Sequence, residues 1–314
     1  MTINNFISKS PAGLFCIPGN FHLDPTRSVE HAVVSHAHGD HAVPTSQKIV
    51  CTAPTFAFMK ERHGGKCNGQ FSLVAFEEAF EINGVQLTFY PAGHMLGSAQ
   101  ILMEYNGERY LYTGDFKTEP DPSCEPFRFV ECDYLITETT FASPEYTHPD
   151  PSAALAEIME HGSSVVIGAY AIGKAQRLTA LITRHFAHVP VFVHPILKPF
   201  HQIYQDHGFD LGNWTVYNRA VFKNTTPCMY ILPPADFRRY SRNKEVLKVF
   251  ATGWKRSFYA CDRVLPVSDH ADWKCVLELV ERSKAKKVFT VHGDGKFLKQ
   301  HFSGSDIEVT EFNK

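Results

Sequence analysis

Short apolar runs separated by turn-forming residues dominate the first third of the chain. Positions 14–17 and 21–23 flank Pro18-Gly19-Asn20, positions 32–34 run into a polar turn, and 48–51 follow it. Runs bounded in this way by Gly, Pro and Asn predict β-strands. A helix is expected from 53 to about 63, stopped by Gly64-Gly65. Two Asn-Gly pairs, Asn83-Gly84 and Asn106-Gly107, lie between the apolar stretches 80–82 and 85–90, and 101–105 and 109–112. Each is the signature of a two-residue hairpin turn. The next strand ends at Thr137-Glu138-Thr139.

From about 143 the texture becomes strand, helix, strand, helix. Asp150-Pro151 opens a helix that Gly162 ends, 165–167 is a strand, and Gly173-Lys174 opens another helix. Strands at 191–193 and 229–232, with an amphipathic stretch up to Gly208 between them, complete what reads as a small parallel α/β insert. The first texture then returns: a strand at 264–267, a helix at 273–283 with Val276, Leu277, Leu279 and Val280 on one face, and a strand at 287–291. The fold class is α/β, with expected boundaries 1–142, 143–262 and 263–314.

The 314 residues suffice for a large core, and 44% hydrophobic with 20% charged residues is ordinary for a globular protein. With 33 acidic and 31 basic side chains the formal charge is only -2. A polyanionic partner must therefore be held by a local basic patch or by metal ions, because the overall field does not attract it. Eight scattered Cys without a C-x-x-C pair, no leader-like start and no run long enough to span a bilayer point to a reduced, cytoplasmic protein with no membrane partner.

Seventeen His stand out, and the stretch Ser35-His36-Ala37-His38-Gly39-Asp40-His41 concentrates three of them with a carboxylate. Directly after an apolar run, the backbone must turn there and is expected to aim His36, His38, Asp40 and His41 into one small volume. Imidazole nitrogen with carboxylate oxygen suits zinc and similar divalent ions. His94, Asp115 and His292 each close a separate strand-like run, where further ligands to a shared site would be supplied. Asp24 ends a strand ahead of Pro25, as a turn residue or as a group orienting a ligand.

Gly93-His94-Met95-Leu96-Gly97-Ser98, Thr113-Gly114-Asp115-Phe116, Glu138, Ala169-Tyr170-Ala171-Ile172-Gly173-Lys174-Ala175-Gln176, Ser268-Asp269-His270-Ala271-Asp272 and Val291-His292-Gly293 follow the His-rich turn in order. With that turn they make the chain resemble the metallo-β-lactamase superfamily and, within it, the β-CASP nucleases. The opening residues and the Ser268 to Trp273 run are most similar to the bacterial ligase-associated DNA exonucleases, described also as homologues of the mRNA 3′-end processing factor. The resemblance implies an αββα sandwich with an inserted β-CASP cap. It implies two Zn2+ ions, with Mn2+ as the alternative: His36, His38 and His94 on one, Asp40, His41 and His292 on the other, and Asp115 bridging.

Glu138 and His270 would then be catalytic together with Asp40, Glu138 favouring the protonated His270 that gives a proton to the leaving oxygen. Lys174 and Arg177 at a helix start, and Lys255 with Arg256 beside Trp254, are candidate phosphate contacts. The implied function is a zinc-dependent DNA exonuclease in repair, with a DNA ligase or helicase partner by analogy. An RNA-processing nuclease is the alternative, followed by a small-molecule metallo-hydrolase, which would need neither Glu138, His270 nor a cap. His292 in the last motif does not separate DNA from RNA.

Overall fold

The computed structural model describes residues 2–240, 246–293 and 295–312. The chain begins with β1 (Thr2–Ile3), β2 (Ile7–Ser10), β3 (Gly13–Cys16), β4 (Phe21–Leu23), β5 (His31–Val33), β6 (Lys48–Cys51), α1 (Ala53–His63) and β7 (Gln70–Leu73). Next come β8 (Ala79–Ile82), β9 (Val85–Pro91), β10 (Ala99–Tyr105), β11 (Glu108–Tyr112) and β12 (Tyr134–Glu138). The middle of the chain forms α2 (Pro151–Met159), β13 (Val165–Gly168), α3 (Lys174–His185), β14 (Val191–Val193), α4 (Lys198–Asp206), β15 (Trp214–Val216), α5 (Arg219–Lys223), β16 (Met229–Leu232), α6 (Pro234–Tyr240), β17 (Leu247–Ala251) and β18 (Arg263–Leu265). It closes with α7 (Trp273–Ser283), β19 (Lys287–Val291), α8 (Lys296–His301) and β20 (Glu308–Glu311).

Two compact units result, one holding residues up to 120, 125–147 and from 270 onward, the other 121–124 and 148–269. The boundary expected at 262 is displaced because β18 pairs with β17, Val264 opposite Phe250, and buries Leu265 and Val267 in the second unit's core. Residues 263–269 therefore belong with the insert, not with the last segment.

The first unit has two seven-stranded sheets, β1 to β7 in sequence order and β20-β19-β12-β11-β10-β9-β8. Pairing is antiparallel over β1–β4 and β8–β11, and parallel over β4–β7 and across β11, β12, β19 and β20. The period of two along a strand sends alternate side chains to opposite faces. Leu87, Phe89, Ile101, Met103, Tyr110 and Tyr112 face Ile7, Phe21, Leu23 and Val33 of the first sheet. From the other face Leu102, Leu111, Leu135 and Val288 meet Val276, Leu279 and Val280 of α7 and Leu298 of α8. Strands covered on both faces read as continuous apolar runs for this reason. Each fully buried side chain of this size contributes about 1.5–3 kcal/mol.

Helix ends obey local chemistry. Thr52 caps α1 by accepting from Thr55 N, and Asp272 caps α7 by accepting from Cys275 N at 3.1 Å. The second unit is one six-stranded parallel sheet, β15-β14-β16-β13-β17-β18, with Leu178, Leu181 and Ile182 of α3 packed on one face and Phe222 and Phe237 on the other. All eight cysteines are free thiols, seven of them buried. Among the described residues no helix is long and apolar enough to cross a membrane.

Candidate metal centre

The strands of the first unit that carry the candidate donors all deliver them at their carboxyl ends. Asp24 follows β4, the His-rich turn follows β5, His94 follows β9, Asp115 follows β11, Glu138 ends β12 and His292 follows β19. Beyond the antiparallel hairpins β8 to β11, β12 and β19 run parallel to β11, so their ends gather on one edge. The two sheets are joined there, since Ala99 N donates to Ser35 O at 2.9 Å. Gly114 permits the approach: at φ 55° it stands where a Cβ would lie 2.7 Å from Ser35 Oγ. Asp24 and His292 also turn with positive φ, 41° and 52°, a backbone strain on the order of 1 kcal/mol or more for residues with side chains.

Within this edge His36 Nε2 is 3.2 Å from His38 Nδ1, and His94 Nε2 is 3.0 Å from the same nitrogen. Asp115 Oδ2 lies 3.5 Å from His36 Nε2 and 3.3 Å from His41 Nε2. Ser35 gives its only hydroxyl proton to Asp24, so His36 Nδ1–H donates to Ser35 Oγ at 2.9 Å and the lone pair of Nε2 points into the cluster. Lone pairs of neighbouring imidazoles converging at such distances, with a carboxylate alongside, repel one another until a cation lies between them. The donor set therefore fits a divalent metal. His36, His38, His94 and Asp115 form one group able to hold an ion, Asp24, His36 and His41 a second, and Asp115, Glu138 and His270 a third.

Burial first, then the charge of His41, holds the His36 imidazole well below its ordinary value, which keeps it neutral. Burial would lower His41 as well, but Asp115, by charge and hydrogen bond, and Asp24 behind it raise His41 well above. Asp115 moves the opposite way: its burial is outweighed by His41, then His270, and its carboxyl sits well below the usual range. The Asp24 carboxylate accepts from Ser35 N at 2.7 Å, His41 Nδ1 at 2.8 Å and Tyr112 OH at 2.9 Å, besides the Ser35 hydroxyl.

Glu138 is buried and accepts from Phe116 N at 2.9 Å and Thr140 Oγ1 at 2.6 Å. Its Oε2 lies 2.9 Å from His270 Nδ1, and the His270 ring is 4.8 Å from that of His94.

Two placements differ from the sequence reading. Asp40 is not buried with its neighbours; its side chain lies at the open rim, 75% exposed, with Oδ2 still 3.8 Å from His41 Nε2. The tight turn, in which His41 N and Ala42 N both donate to His38 O, swings it to the rim. The His292 ring centroid lies 5.1 Å from that of His41. Lys174 and Arg177 are the second correction: both are buried, so neither offers its charge to a phosphate at the surface. Arg177 Nε pairs with Asp121 at 3.2 Å and its guanidinium donates to Ser268 O, while Lys174 Nζ is 3.6 Å from Asp269. Lys255 and Arg256 are exposed. Ser35, Tyr112 and Asp121 had no role in the sequence reading; Tyr112 shares a strand face with the core, and nothing in its spacing announces a hydroxyl on Asp24.

No protein-family model matches the chain. Curated relatives do. A probable DNA ligase of Opitutus terrae is 32% identical over 306 residues, covering 91% of this chain and 29% of that protein. An RNase J-like protein of Methanocaldococcus jannaschii is 32% identical over 187 residues, covering 51% of this chain and 44% of the relative. Cleavage and polyadenylation specificity factor subunit 3-I of Arabidopsis thaliana is 23% identical over 269 residues, covering 70% and 39%. These homologues are β-CASP metallo-β-lactamase nucleases or associated with a DNA ligase. The chain spans less than half the length of each of these three relatives.

Proposed function

We propose that the chain is a two-zinc phosphodiesterase that degrades DNA from an end, built as an αββα sandwich with the second unit as its β-CASP cap. The observation that carries this reading is the shared position of Asp115, within 3.5 Å of His36 Nε2 and 3.3 Å of His41 Nε2, where one carboxylate serves two cation sites. His36, His38 and His94 would hold one ion, His41, His292 and the rim carboxylate of Asp40 the other. When bound, such a pair supplies Lewis-acid polarisation of a phosphate and a lowered pKa for the attacking water.

The chain's own residues do the rest. Ser35 and Asp24 fix the tautomers of His36 and His41, so each presents Nε2 to the site. Glu138 holds Nδ1 of His270, which leaves Nε2 as the atom from which a proton passes to the departing oxygen. A carboxylate–imidazole pair beside the metal donors serves phosphodiester cleavage, whereas opening an ester or lactam does not need it.

The ligase-named relative, aligned over most of the chain, favours DNA, a repair role and a ligase partner in the cytoplasm. The RNase J-like and polyadenylation-factor relatives support the second reading, an RNA-processing nuclease. Digestion of end-labelled DNA and RNA of matched sequence, with free and blocked 5′ ends, separates them; equal or preferred cutting of RNA overturns the DNA assignment. His270→Ala is expected to abolish turnover while elemental analysis still finds two zinc ions per chain. Full activity in that variant removes the proton-donor role, and wild-type protein without bound metal removes the mechanism.

A further inference from the structure

In the second unit, adjacent parallel strands β17 and β18 are joined by residues 252–262 without a helix. Parallel neighbours need a crossover, and a helix normally makes it; here an irregular loop does. That loop is braced throughout. Asp262 N donates to Lys248 O at 2.8 Å and Lys248 N to Asp262 Oδ2 at 2.9 Å, closing its base. Trp254 N donates to Thr252 Oγ1 and Tyr259 N to Ser257 Oγ. Tyr259 stacks inward on Phe250, centroids 4.5 Å apart, with the Arg238 guanidinium 5.6 Å from the Tyr259 ring.

Anchoring Tyr259 inward turns its neighbour out. Phe258 is 93% exposed and Trp254 41% exposed, with exposed Lys255 and Arg256 between them in the sequence. Leaving a phenylalanine in water forfeits about 2 kcal/mol of burial, and here a folded loop, not a frayed end, holds it there. Two cations between two rings make this a poor apolar seat for a protein partner. The loop's carboxylate, Asp262, is already engaged by Lys248, so the segment is locally basic in a chain of formal charge -2. Flat π-faces flanking a pair of cations match a strand of unpaired bases on a phosphate backbone.

We propose that the 252–262 loop binds single-stranded nucleic acid, with bases stacked on Trp254 and Phe258 and phosphates on Lys255 and Arg256. The expectation of a nucleic-acid ligand rests on the functional reading above, but the binding is measured apart from it. The probe is a fluorescein-labelled single-stranded oligonucleotide titrated against the full chain in chelator, where no cutting intervenes, with anisotropy as readout. Trp254→Ala and Phe258→Ala are each expected to weaken binding roughly 10-fold or more, while Trp254→Phe and Phe258→Tyr, which keep a ring, restore most of it. Lys255→Gln with Arg256→Gln should reduce the slope of log affinity against log salt by about 1.4. Unchanged circular dichroism and melting midpoint certify that the alanine variants fold.

Affinity indifferent to both rings overturns the proposal, as does ring-dependent binding to vesicles of anionic lipid with none to the oligonucleotide, or ring-independent binding of duplex as tight as single strand. Hydrolysis is scored separately, on wild-type protein with zinc. Binding that depends on the rings in a chain that cuts nothing would sustain the loop and remove the nuclease reading, and the reverse result would do the opposite.

Discussion

Asp24 shows how much one side chain organises: its two oxygens take hydrogen bonds from Ser35, His41 and Tyr112. Asp24→Asn keeps the shape but turns an acceptor into a donor, so His41 Nδ1–H loses its partner or its tautomer. Zinc affinity is expected to fall about 10- to 100-fold, read by competition with a chromophoric chelator; affinity within a factor of two of wild type would remove Asp24 from the centre. The positions of His36, His38, His41, His94 and Asp115 could be read from the motif because ligand types recur at strand ends. The exposed rim position of Asp40 could not, since it depends on the hydrogen-bonding of the 38–42 turn. Nor could the burial of Lys174 and Arg177, whose partners Asp121 and Asp269 lie about fifty and ninety residues away in the chain.

At the scale of elements, α3 is tied to two irregular segments through Arg177, which meets Asp121 and the Ser268 carbonyl with almost no solvent. Arg177→Ala would take the cation from beside the buried Asp121 carboxylate, which keeps its hydrogen bonds from Ser123, a loss of up to about 3–5 kcal/mol, visible as a lowered urea midpoint. Glu308→Ala breaks the half-exposed pair with Lys287 and should cost under about 1 kcal/mol. Equal effects of the two would contradict the burial argument. Most elements were readable because local signals agree: Asn83-Gly84 and Asn106-Gly107 set both hairpins, and Gly64 stops α1. Strands β1, β2, β7, β15, β17 and β20, and the short helices α5, α6 and α8, were not. Several of these are sheet-edge strands or short segments whose identity comes from pairing rather than from periodicity. The hand-over at β18 escaped for a related reason, since an apolar tetrad reads the same whichever sheet receives it.

For the whole molecule, two separate cores imply two unfolding events with different sensitivities. The donors of the metal centre are drawn from both ends of the first unit's sequence, so chelation should lower the transition of that unit alone. The second unit is expected to respond to acid through His201, buried where α4 meets α3, with Thr179 Oγ1 2.9 Å from Nε2 and, at Nδ1, Leu197 O at 3.0 Å and Gln176 Nε2 at 3.1 Å. Burial lowers His201 from 6.5 to about 4. Between those values the unfolded chain holds a proton that the folded one refuses, so stability falls as pH falls, by about 3 kcal/mol in total. Calorimetry at pH 7 and pH 5 should show this as a drop in one transition that His201→Gln flattens. Trp214, whose ring lies 4.9 Å from His201, reports it by fluorescence.

Both Asn-Gly hairpin tips lie at the end of the second sheet away from every donor, since β9 runs from Val85 next to one tip to Pro91 near His94. Seven extended residues put roughly 23 Å between tip and chemistry. A dye or a tether grafted at Gly107 could therefore fasten the molecule to a surface, or mark it for single-particle observation, with its reactive rim left open to the solution.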